Sequence, residues 1–284
     1  MQTPTPRLLP RLLTLAALLA PAALALSSWL LWRSPAALRA AAGARPRRVL
    51  ASYSSGKPRF AALQRENCRS ARALGIDECM LFTEDSIDGE WRARNADKLR
   101  EPLGAGLWAW KAVAIFQALM RVADGDVVLY MDADSVVVAD PAPLFELAAR
   151  EDVVLFSECQ WRLGQWATRT SLMLTGGEAF RDRYMIVASY SLWKKGPRAL
   201  QFLAEWLTYL QDLRIVGGGH VAGFSAPEFP EFREHRHDMV PLCVSGYRWN
   251  LSFHRSPTQW GTKFCMGNYS NSPYGEIFYD GYVV

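Results

Sequence analysis

The stretch Val127–Val138 reads VVLYMDADSVVV, and it decides the predicted fold. A run with the length and composition of a strand leads directly into Asp132-Ala133-Asp134, and a second β-branched run follows. Side chains alternate faces along a strand, so we expect Asp132 and Asp134 to point the same way at its end. Two adjacent carboxylates repel each other unless a cation lies between them. Oxygen ligands of this kind suit Mg²⁺ or Mn²⁺, and therefore a substrate that carries phosphates. The alternative interpretation is a strand that ends in a polar turn.

The flanking sequence alternates between strand and helix patterns. Strands are predicted at 49–54, 78–83 and 153–157, and helices at 60–74, 91–100, 108–122, 141–150 and 200–213, with a loop at 102–106. This order is typical of an α/β domain that opens with parallel strands. The Asp pair then follows the carboxyl end of a central strand, which is where open α/β sheets bind ligands.

The first 48 residues differ from the rest of the chain. Between Arg11 and Arg33 lie 21 residues without a charge, which is long enough to span a bilayer as a helix. We therefore predict a signal anchor or transmembrane segment at 1–33, a basic stem at 34–48 and one catalytic domain at 49–284. A cleaved signal peptide and an organelle transit peptide are the alternatives.

Charge and cysteine content exclude some classes of function. Residues 1–48 contain seven of the 32 basic residues and no acid, so the remainder has 25 basic and 28 acidic residues and a net charge of −3. No nucleic-acid surface is indicated. The five Cys contain no C-x-x-C pair, so a zinc site is not predicted; at most two bridges and one free thiol are possible. Glycosylation acceptor patterns at Asn250 and Asn268 are compatible with a Golgi or ER lumenal domain, with a secreted or organellar protein as the alternative.

A second polar cluster, Glu234-His-Arg-His-Asp238, lies in the last third of the chain. We interpret it as a site loop in which a His binds a metal or a hydroxyl, Arg236 contacts a phosphate or carboxylate, and Asp238 acts as ligand or base. A solvent-facing charged turn is the alternative. The many Trp of the second half are explained equally well by packing and by stacking on sugar rings or a base.

Two linked motifs resemble a known family. The run Gly106-Leu-Trp-Ala-Trp-Lys111, a helix, and then Gly125-Asp-Val-Val-Leu-Tyr-Met-Asp-Ala-Asp134 resemble the GT-A glycosyltransferases. More narrowly, they are similar to bacterial and algal proteins that carry these motifs and a later His-Arg-His-Asp-Gln-Ser block. Here that block is His235-Arg236-His237-Asp238-Met239-Val240, without the final Gln-Ser. The resemblance implies a single α/β domain of GT-A fold.

The resemblance also implies an activity. It is metal-dependent transfer of a sugar, a hexose in the first instance, from a nucleotide-sugar donor to a hydroxyl of a glycan, glycoprotein or polysaccharide, with Mn²⁺ or Mg²⁺. The implied donor-binding residues are Ser52, Tyr53, Ser54, Trp110, Lys111 and Asp132. The implied metal ligands are Asp132 and Asp134, with His254 or His237 completing the shell. An inverting reaction needs a base, for which Asp238, Glu158 and Glu178 are candidates, whereas a retaining reaction does not.

Two other functions stay open at this point. A phosphoryl- or nucleotidyl-transferring enzyme of α/β fold uses the same kind of Asp pair. A catalytically inactive carbohydrate-binding or scaffold protein that keeps the GT-A fold is the alternative outside catalysis. The predicted partners are a nucleotide-sugar donor and a glycan or other hydroxyl acceptor, with the membrane contacted through the N-terminal helix and no nucleic acid.

Overall fold

The structure is a computed structural model that describes residues 45–218 and 225–281. The predicted anchor at 1–33 and most of the predicted stem therefore lie outside the described residues. Within the described ranges, no helix is long and apolar enough to cross a membrane. The chain from Pro46 onward forms one compact unit.

The secondary structure alternates between strands and helices in the first half and is mainly helical in the second. In chain order the elements are β1 (Arg48–Ser54), α1 (Pro58–Ala73), β2 (Glu78–Thr83), α2 (Gly89–Arg94), α3 (Ala96–Leu99), α4 (Gly104–Leu107), α5 (Trp110–Arg121), β3 (Val127–Met131), β4 (Ser135–Val137), α6 (Ala142–Glu151), β5 (Val153–Arg162), α7 (Leu163–Trp166), α8 (Arg169–Thr175), β6 (Tyr184–Ile186), β7 (Tyr190–Lys194), α9 (Pro197–Leu210), α10 (Leu213–Val216), α11 (Met239–Arg248), β8 (Phe253–Arg255), α12 (Gln259–Phe264) and β9 (Phe278–Asp280).

Among the described residues, the main sheet has seven strands in the order β2-β1-β3-β7-β5-β6, with β8 paired to β5. Strand β1 is parallel to β2 and β3, which confirms the predicted parallel opening. The sheet as a whole is mixed, because β7 runs antiparallel between β3 and β5. A separate small sheet pairs β4 with β9.

Strand β3 is buried on both faces. Val128 and Tyr130 belong to a core cluster that includes α5 and α9, whereas Val127, Leu129 and Met131 belong to a second cluster with α1 and α6. This division follows from the alternation of side chains along a strand. Because helices cover both faces, β3 is a continuous apolar run.

The Asp pair lies in a turn. Strand β3 ends at Met131, which pairs with Tyr190, and the amide of Ser135 donates to the carbonyl of Asp132 at 3.2 Å. Strand β4 then begins at Ser135 and pairs with β9. Asp132 and Asp134 have therefore left the ladder that enforces strand alternation, and it is the turn that places both residues beside one cavity.

Other element boundaries in the structure differ from the predicted ones. The predicted helix at 91–100 is divided at Asn95 into α2 and α3, and the predicted loop at 102–106 contains the short, irregular α4. Strand β5 extends five residues past its predicted end, to Arg162, because β6 pairs with its second half. The helix predicted at 200–213 begins earlier, at Pro197, and ends at Leu210.

Candidate functional site

Two open cavities meet beside the turn that carries the Asp pair. The first, here called the β1 cavity, has a volume of about 350 Å³ and is lined by Tyr53, Ser54, Trp110 and Asp134 among others. The second, here called the β5 cavity, has a volume of about 500 Å³. Its lining includes Lys111, Glu158, Trp161, His237, Asp238, Trp260 and Asp280. Trp108 and Asp132 line both cavities.

Asp132 is held by its neighbours on every polar group. Its carboxylate accepts a hydrogen bond from the Tyr130 hydroxyl at 2.6 Å and another from Lys111 Nζ at 3.2 Å. Its amide donates to the carbonyl of Ser189 at 2.7 Å, and its own carbonyl accepts from the side-chain amide of Asn67 at 3.0 Å. The orientation of Asp132 at the junction of the cavities is therefore fixed in advance of any ligand.

Lys111 joins two carboxylates in the interior. Its ammonium lies 3.2 Å from Asp132 and 3.1 Å from Asp238, and the Lys111 side chain is only 3% exposed. Burial alone lowers the pKa of a lysine, but the two carboxylates outweigh it, so the pKa of Lys111 is raised. Burial raises the pKa of Asp238, and the charge of Lys111 opposes that rise. One ammonium thus faces two carboxylates, which leaves an excess of negative charge.

Asp134 and Asp280 add further negative charge. Burial and then the charge of Asp132 raise the pKa of Asp134. Burial raises the pKa of Asp280 to about 6, against the hydrogen bond that it accepts from the Ser135 hydroxyl at 2.9 Å; the charges of Asp134 and Asp132 add to the rise. Both carboxylates are therefore short of compensating positive charge in the protein alone.

Asp280 is the functional candidate that sequence reasoning missed. It reaches the Asp turn because β9 pairs antiparallel with β4, in a register that sets Asp280 opposite Ser135. Gln259 holds its backbone from both sides, with distances of 2.6 Å to the Asp280 carbonyl and 3.2 Å to its amide. No local sequence pattern predicts the pairing of Asp280 with Ser135, because the two residues are 145 positions apart.

The donor chemistry at this junction fits a divalent cation. Within residues 45–218 and 225–281, no three His, Cys, Asp or Glu side chains form a ready-made metal cage. Mg²⁺ is usually held by one or two carboxylates together with substrate phosphates, so a cage is not required. Asp134, with its raised pKa beside Asp132, supplies the uncompensated oxygen ligands that such an ion prefers.

The two candidate His ligands differ in position. His237 lines the β5 cavity, and its Nδ1 lies 2.8 Å from the carbonyl oxygen of Val216. A carbonyl only accepts, so Nδ1 is the donor of this contact, and Nε2 is the ring nitrogen left to face a metal or a hydroxyl. His254 instead contacts Glu151 at 2.8 Å and lines neither cavity. The structure does not bring His254 to the Asp turn.

The predicted donor-binding residues are only partly brought together. Tyr53, Ser54 and Trp110 line the β1 cavity, and the Tyr53 and Trp110 rings stack with their centroids 3.7 Å apart. Ser52 is fully buried and lines neither cavity, and its carbonyl accepts a hydrogen bond from Gln64 at 2.8 Å. Ser52 therefore supports the strand beneath the site and does not contact the cavity.

The candidate bases also differ in position. Glu158 lines the β5 cavity, accepts a hydrogen bond from Gln160 at 3.1 Å, and has its pKa raised by burial. Asp238 lines the same cavity but is paired with Lys111. Glu178 is exposed, pairs with Arg169 at 3.0 Å and lines neither cavity, so the structure does not bring it to the site.

Arg236 and Trp161 line the β5 cavity, and both contact Trp166. The rings of Trp161 and Trp166 lie 4.8 Å apart, and the guanidinium carbon of Arg236 lies 5.0 and 4.7 Å from their centroids. Arg236 also pairs with Glu234 at 3.1 Å. Trp193 and Trp206, by contrast, are buried in the core with parallel rings. The two explanations for the Trp-rich half, packing and an open platform, therefore apply to different residues.

No sequence profile of a known protein family matches this chain, and no curated protein matches it. Solved structures with a similar fold are glycosyltransferases. One is the apo form of mouse xyloside xylosyltransferase 1, at 12% identity and a TM-score of 0.42, covering 84% of this chain and 97% of that chain. Another is a glycosyltransferase involved in glycosylation of the major capsid of PBCV-1, at 13% identity and 0.42, covering 83% and 93%. A third is the galactosyltransferase LgtC in complex with donor and acceptor sugar analogs, at 14% and 0.44, covering 82% and 86%.

Proposed function

We propose that this chain is a metal-dependent glycosyltransferase of GT-A fold that moves a sugar from a nucleotide-sugar donor to a hydroxyl acceptor. The observation that carries the proposal is the pair of cavities that meet at Asp132. A glycosyltransferase brings two substrates together at one point, where the negative charge of the departing diphosphate must be neutralised. The Asp turn lies where the two cavities meet.

The β1 cavity is the proposed donor site. It combines the aromatic rings of Tyr53 and Trp110 with the side chain of Lys57, and it ends at Asp132 and Asp134. Rings suit a base, and carboxylates at the far end suit a cation-bound diphosphate. Asp134 and Asp132 would hold the metal together with the donor phosphates, and the metal would neutralise the charge that develops on the leaving nucleoside diphosphate.

The β5 cavity is the proposed acceptor site. Its open Trp161 and Trp260 offer faces for a sugar ring, and its carboxylates accept hydrogen bonds from hydroxyl groups. Glu158 is the better candidate base for an inverting reaction, because its raised pKa makes it a stronger base and its hydrogen-bond partner is the neutral Gln160. Asp238 is engaged by Lys111 and acts in positioning.

Lumenal residence is a further part of the proposal. Two disulfides, Cys68–Cys79 and Cys159–Cys265, support an oxidising compartment such as the ER or Golgi lumen or the exterior. An N-terminal signal anchor would then hold the catalytic domain at the membrane. Full-length protein that stays with membranes after carbonate extraction would support the anchor, and release into the soluble fraction would support a cleaved leader.

The test of the activity is donor hydrolysis by the purified full-length protein. A panel of UDP- and GDP-sugars is incubated with Mn²⁺ or with EDTA, and nucleoside diphosphate release is measured. We expect release from at least one donor that EDTA abolishes. Release of nucleoside monophosphate or pyrophosphate instead would indicate nucleotidyl or phosphoryl transfer. Neither turnover nor nucleotide binding would leave only a carbohydrate-binding or scaffold role.

A further inference from the structure

The side chain of Trp108 stands between the two cavities. Of the residues that the structure describes, it and Asp132 are the two that line both. Asp132 contributes a small carboxylate that is already bonded to Tyr130 and Lys111. Trp108 contributes a large indole, so it is the larger of the two side chains that border both cavities.

Contacts with Gly104 and His237 fix the position of the Trp108 indole. It lies directly over Gly104, where an added Cβ would come within 2.3 Å of the indole Cδ2. The indole also packs against His237, with ring centroids 5.5 Å apart, and the His237 Nδ1 is tied to the carbonyl of Val216. Glycine at 104 is therefore what allows Trp108 to occupy this place.

The backbone under the indole is strained. Ala105, Leu107 and Trp108 have positive φ angles of 49°, 57° and 56°, a conformation that residues other than glycine rarely adopt. His237 on the other side of the contact also has a positive φ, of 27°. Strain of this kind persists only where surrounding contacts over-determine the conformation, and it concentrates at functional sites.

Hydrogen bonds maintain this strained backbone conformation. The amides of Leu107 and Trp108 donate to the carbonyls of Leu103 and Gly104 at 2.8 and 3.2 Å. The indole nitrogen of Trp110 also donates to the Gly104 carbonyl, at 3.0 Å. These hydrogen bonds hold residues 103–110 in place, so the indole of Trp108 is a rigid part of the lining of both cavities.

We propose that Trp108 is a specificity-determining residue that limits the size of the transferred sugar and disfavours sugars with a C2 acetamido group. This inference rests on the proposed function, because it takes the β1 cavity as the donor site. An acetamido group adds bulk to the ring where the sugar must sit beside Asp132. A hydrophobic pocket discriminates against a single added methylene by about 10- to 200-fold, and an acetamido group is larger than a methylene.

The test compares matched donors with the full-length protein and Mn²⁺. The value of kcat/KM for hydrolysis is measured for UDP-glucose against UDP-N-acetylglucosamine, and for UDP-galactose against UDP-N-acetylgalactosamine. We expect the wild type to favour the member of each pair without the acetamido group. Trp108→Ala should shift the ratio by about tenfold or more toward the acetamido sugar, whereas Trp108→Phe, which keeps a ring, should stay near the wild type.

A second variant changes the position of the indole without replacing Trp108. Gly104→Ala should displace Trp108 and shift the ratio in the same direction. Gly176→Ala is the matched control, because Gly176 also has a positive φ (71°, against 59° at Gly104), a Cβ there meets nothing within 4 Å, and Gly176 lines neither cavity. Its ratio should equal that of the wild type.

The outcomes separate the two proposals. A folded Trp108→Ala protein with an unchanged ratio, or a wild type that prefers the acetamido sugar, overturns the role of Trp108 and leaves the glycosyltransferase proposal intact. Absence of hydrolysis of every UDP-sugar and GDP-sugar by the wild type overturns both.

Discussion

The ammonium nitrogen of Lys111 lies 3.1 Å from a carboxylate oxygen of Asp238, and the two side chains are 3% and 6% exposed. Lys111 lies in the first turn of α5 and Asp238 immediately precedes α11. The pair therefore ties the regular first half of the domain to the helical second half at the wall of the β5 cavity. Because Asp132 shares the same ammonium, this contact also sets the position of the Asp turn.

Removal of the ammonium should destabilise the fold. Lys111→Met leaves the buried carboxylate of Asp238 without a cation and leaves Asp132 with the Tyr130 hydroxyl as its side-chain partner. Breaking a buried pair in this way costs about 3–5 kcal/mol in the free energy of unfolding. Urea denaturation at pH 7 measures the loss. The control is Glu90→Gln, which breaks the exposed pair with Arg94 and should leave stability nearly unchanged. A Lys111→Met protein as stable as the wild type would show that Lys111 is not the structural cation.

Asp134→Asn should separate metal binding from folding. Since burial and Asp132 raise the pKa of Asp134, its ionised form is less stable in the folded, metal-free protein than in the unfolded chain. The variant should therefore melt at the wild-type temperature or slightly above without metal, and it should lose Mn²⁺-dependent donor hydrolysis and nucleotide binding. Asp85→Asn, at a carboxylate that is 99% exposed, should retain both. Near-normal EDTA-sensitive turnover by Asp134→Asn would remove Asp134 from the metal site.

Acid stability should depend on His235. Burial, followed by the charge of His237, lowers the pKa of His235 from 6.5 to about 3. The folded state therefore holds fewer protons on this residue than the unfolded state between about pH 3 and 6.5, so stability falls as the pH drops through that window. One pKa unit corresponds to about 1.4 kcal/mol, so His235 accounts for about 2–3 kcal/mol of the loss between pH 6.5 and 4.

The variant His235→Gln removes this titration and keeps an acceptor for the amide of Thr168, which now donates to His235 Nδ1 at 3.2 Å. Urea midpoints are measured at pH 7, 6, 5 and 4. We expect a shallower decline than in the wild type, starting from a lower stability at pH 7. Parallel pH curves for the two proteins would mean that His235 does not titrate in this range.

The two disulfides should differ in effect. Cys159–Cys265 links positions 106 apart, against 11 for Cys68–Cys79, so the longer loop gives the larger loss of unfolded-state entropy, about 4–5 against about 3 kcal/mol in the chain-entropy model. The longer bridge also joins β5, beside Glu158, to the end of α12, which carries Trp260. The double variant Cys159→Ser/Cys265→Ser should therefore lose more in melting temperature, and should weaken acceptor use more than donor hydrolysis.

The double variant Cys68→Ser/Cys79→Ser is the matched control, because that bridge joins α1 to β2 away from both cavities. It should show a smaller drop in melting temperature and unchanged acceptor KM. Equal effects of the two bridges on acceptor KM would argue against a role for α12 in acceptor binding.

The local pattern of the first half predicted its fold well. The range of β2 agrees with its prediction, and β1, α1 and α5 differ by at most two residues at either end. The spacing of apolar residues within each of these elements is itself typical of a helix or a strand, so the local sequence is enough to predict it. The second half was predicted poorly, because its short elements α7, α8 and α10 are too brief to show a period, and tertiary packing stabilises them.

The site residues divide along the same line. Asp132, Asp134, Trp110 and Lys111 were predicted because they lie within one local motif around β3 and α5. His254 and Glu178 were placed by residue type alone, and each is instead engaged by a single charged neighbour, Glu151 or Arg169, outside both cavities.

The sequence by itself determined that an acidic turn follows a central apolar strand, because strand composition and the Asp-x-Asp spacing are local properties. Only the tertiary structure decided what surrounds that turn. It brought Asp238 to Lys111, Asp280 to Ser135 and the indole of Trp108 to the junction of the two cavities. These contacts depend on strand register and helix packing between distant parts of the chain, and on glycines that leave room for a neighbour's ring, which no local pattern specifies.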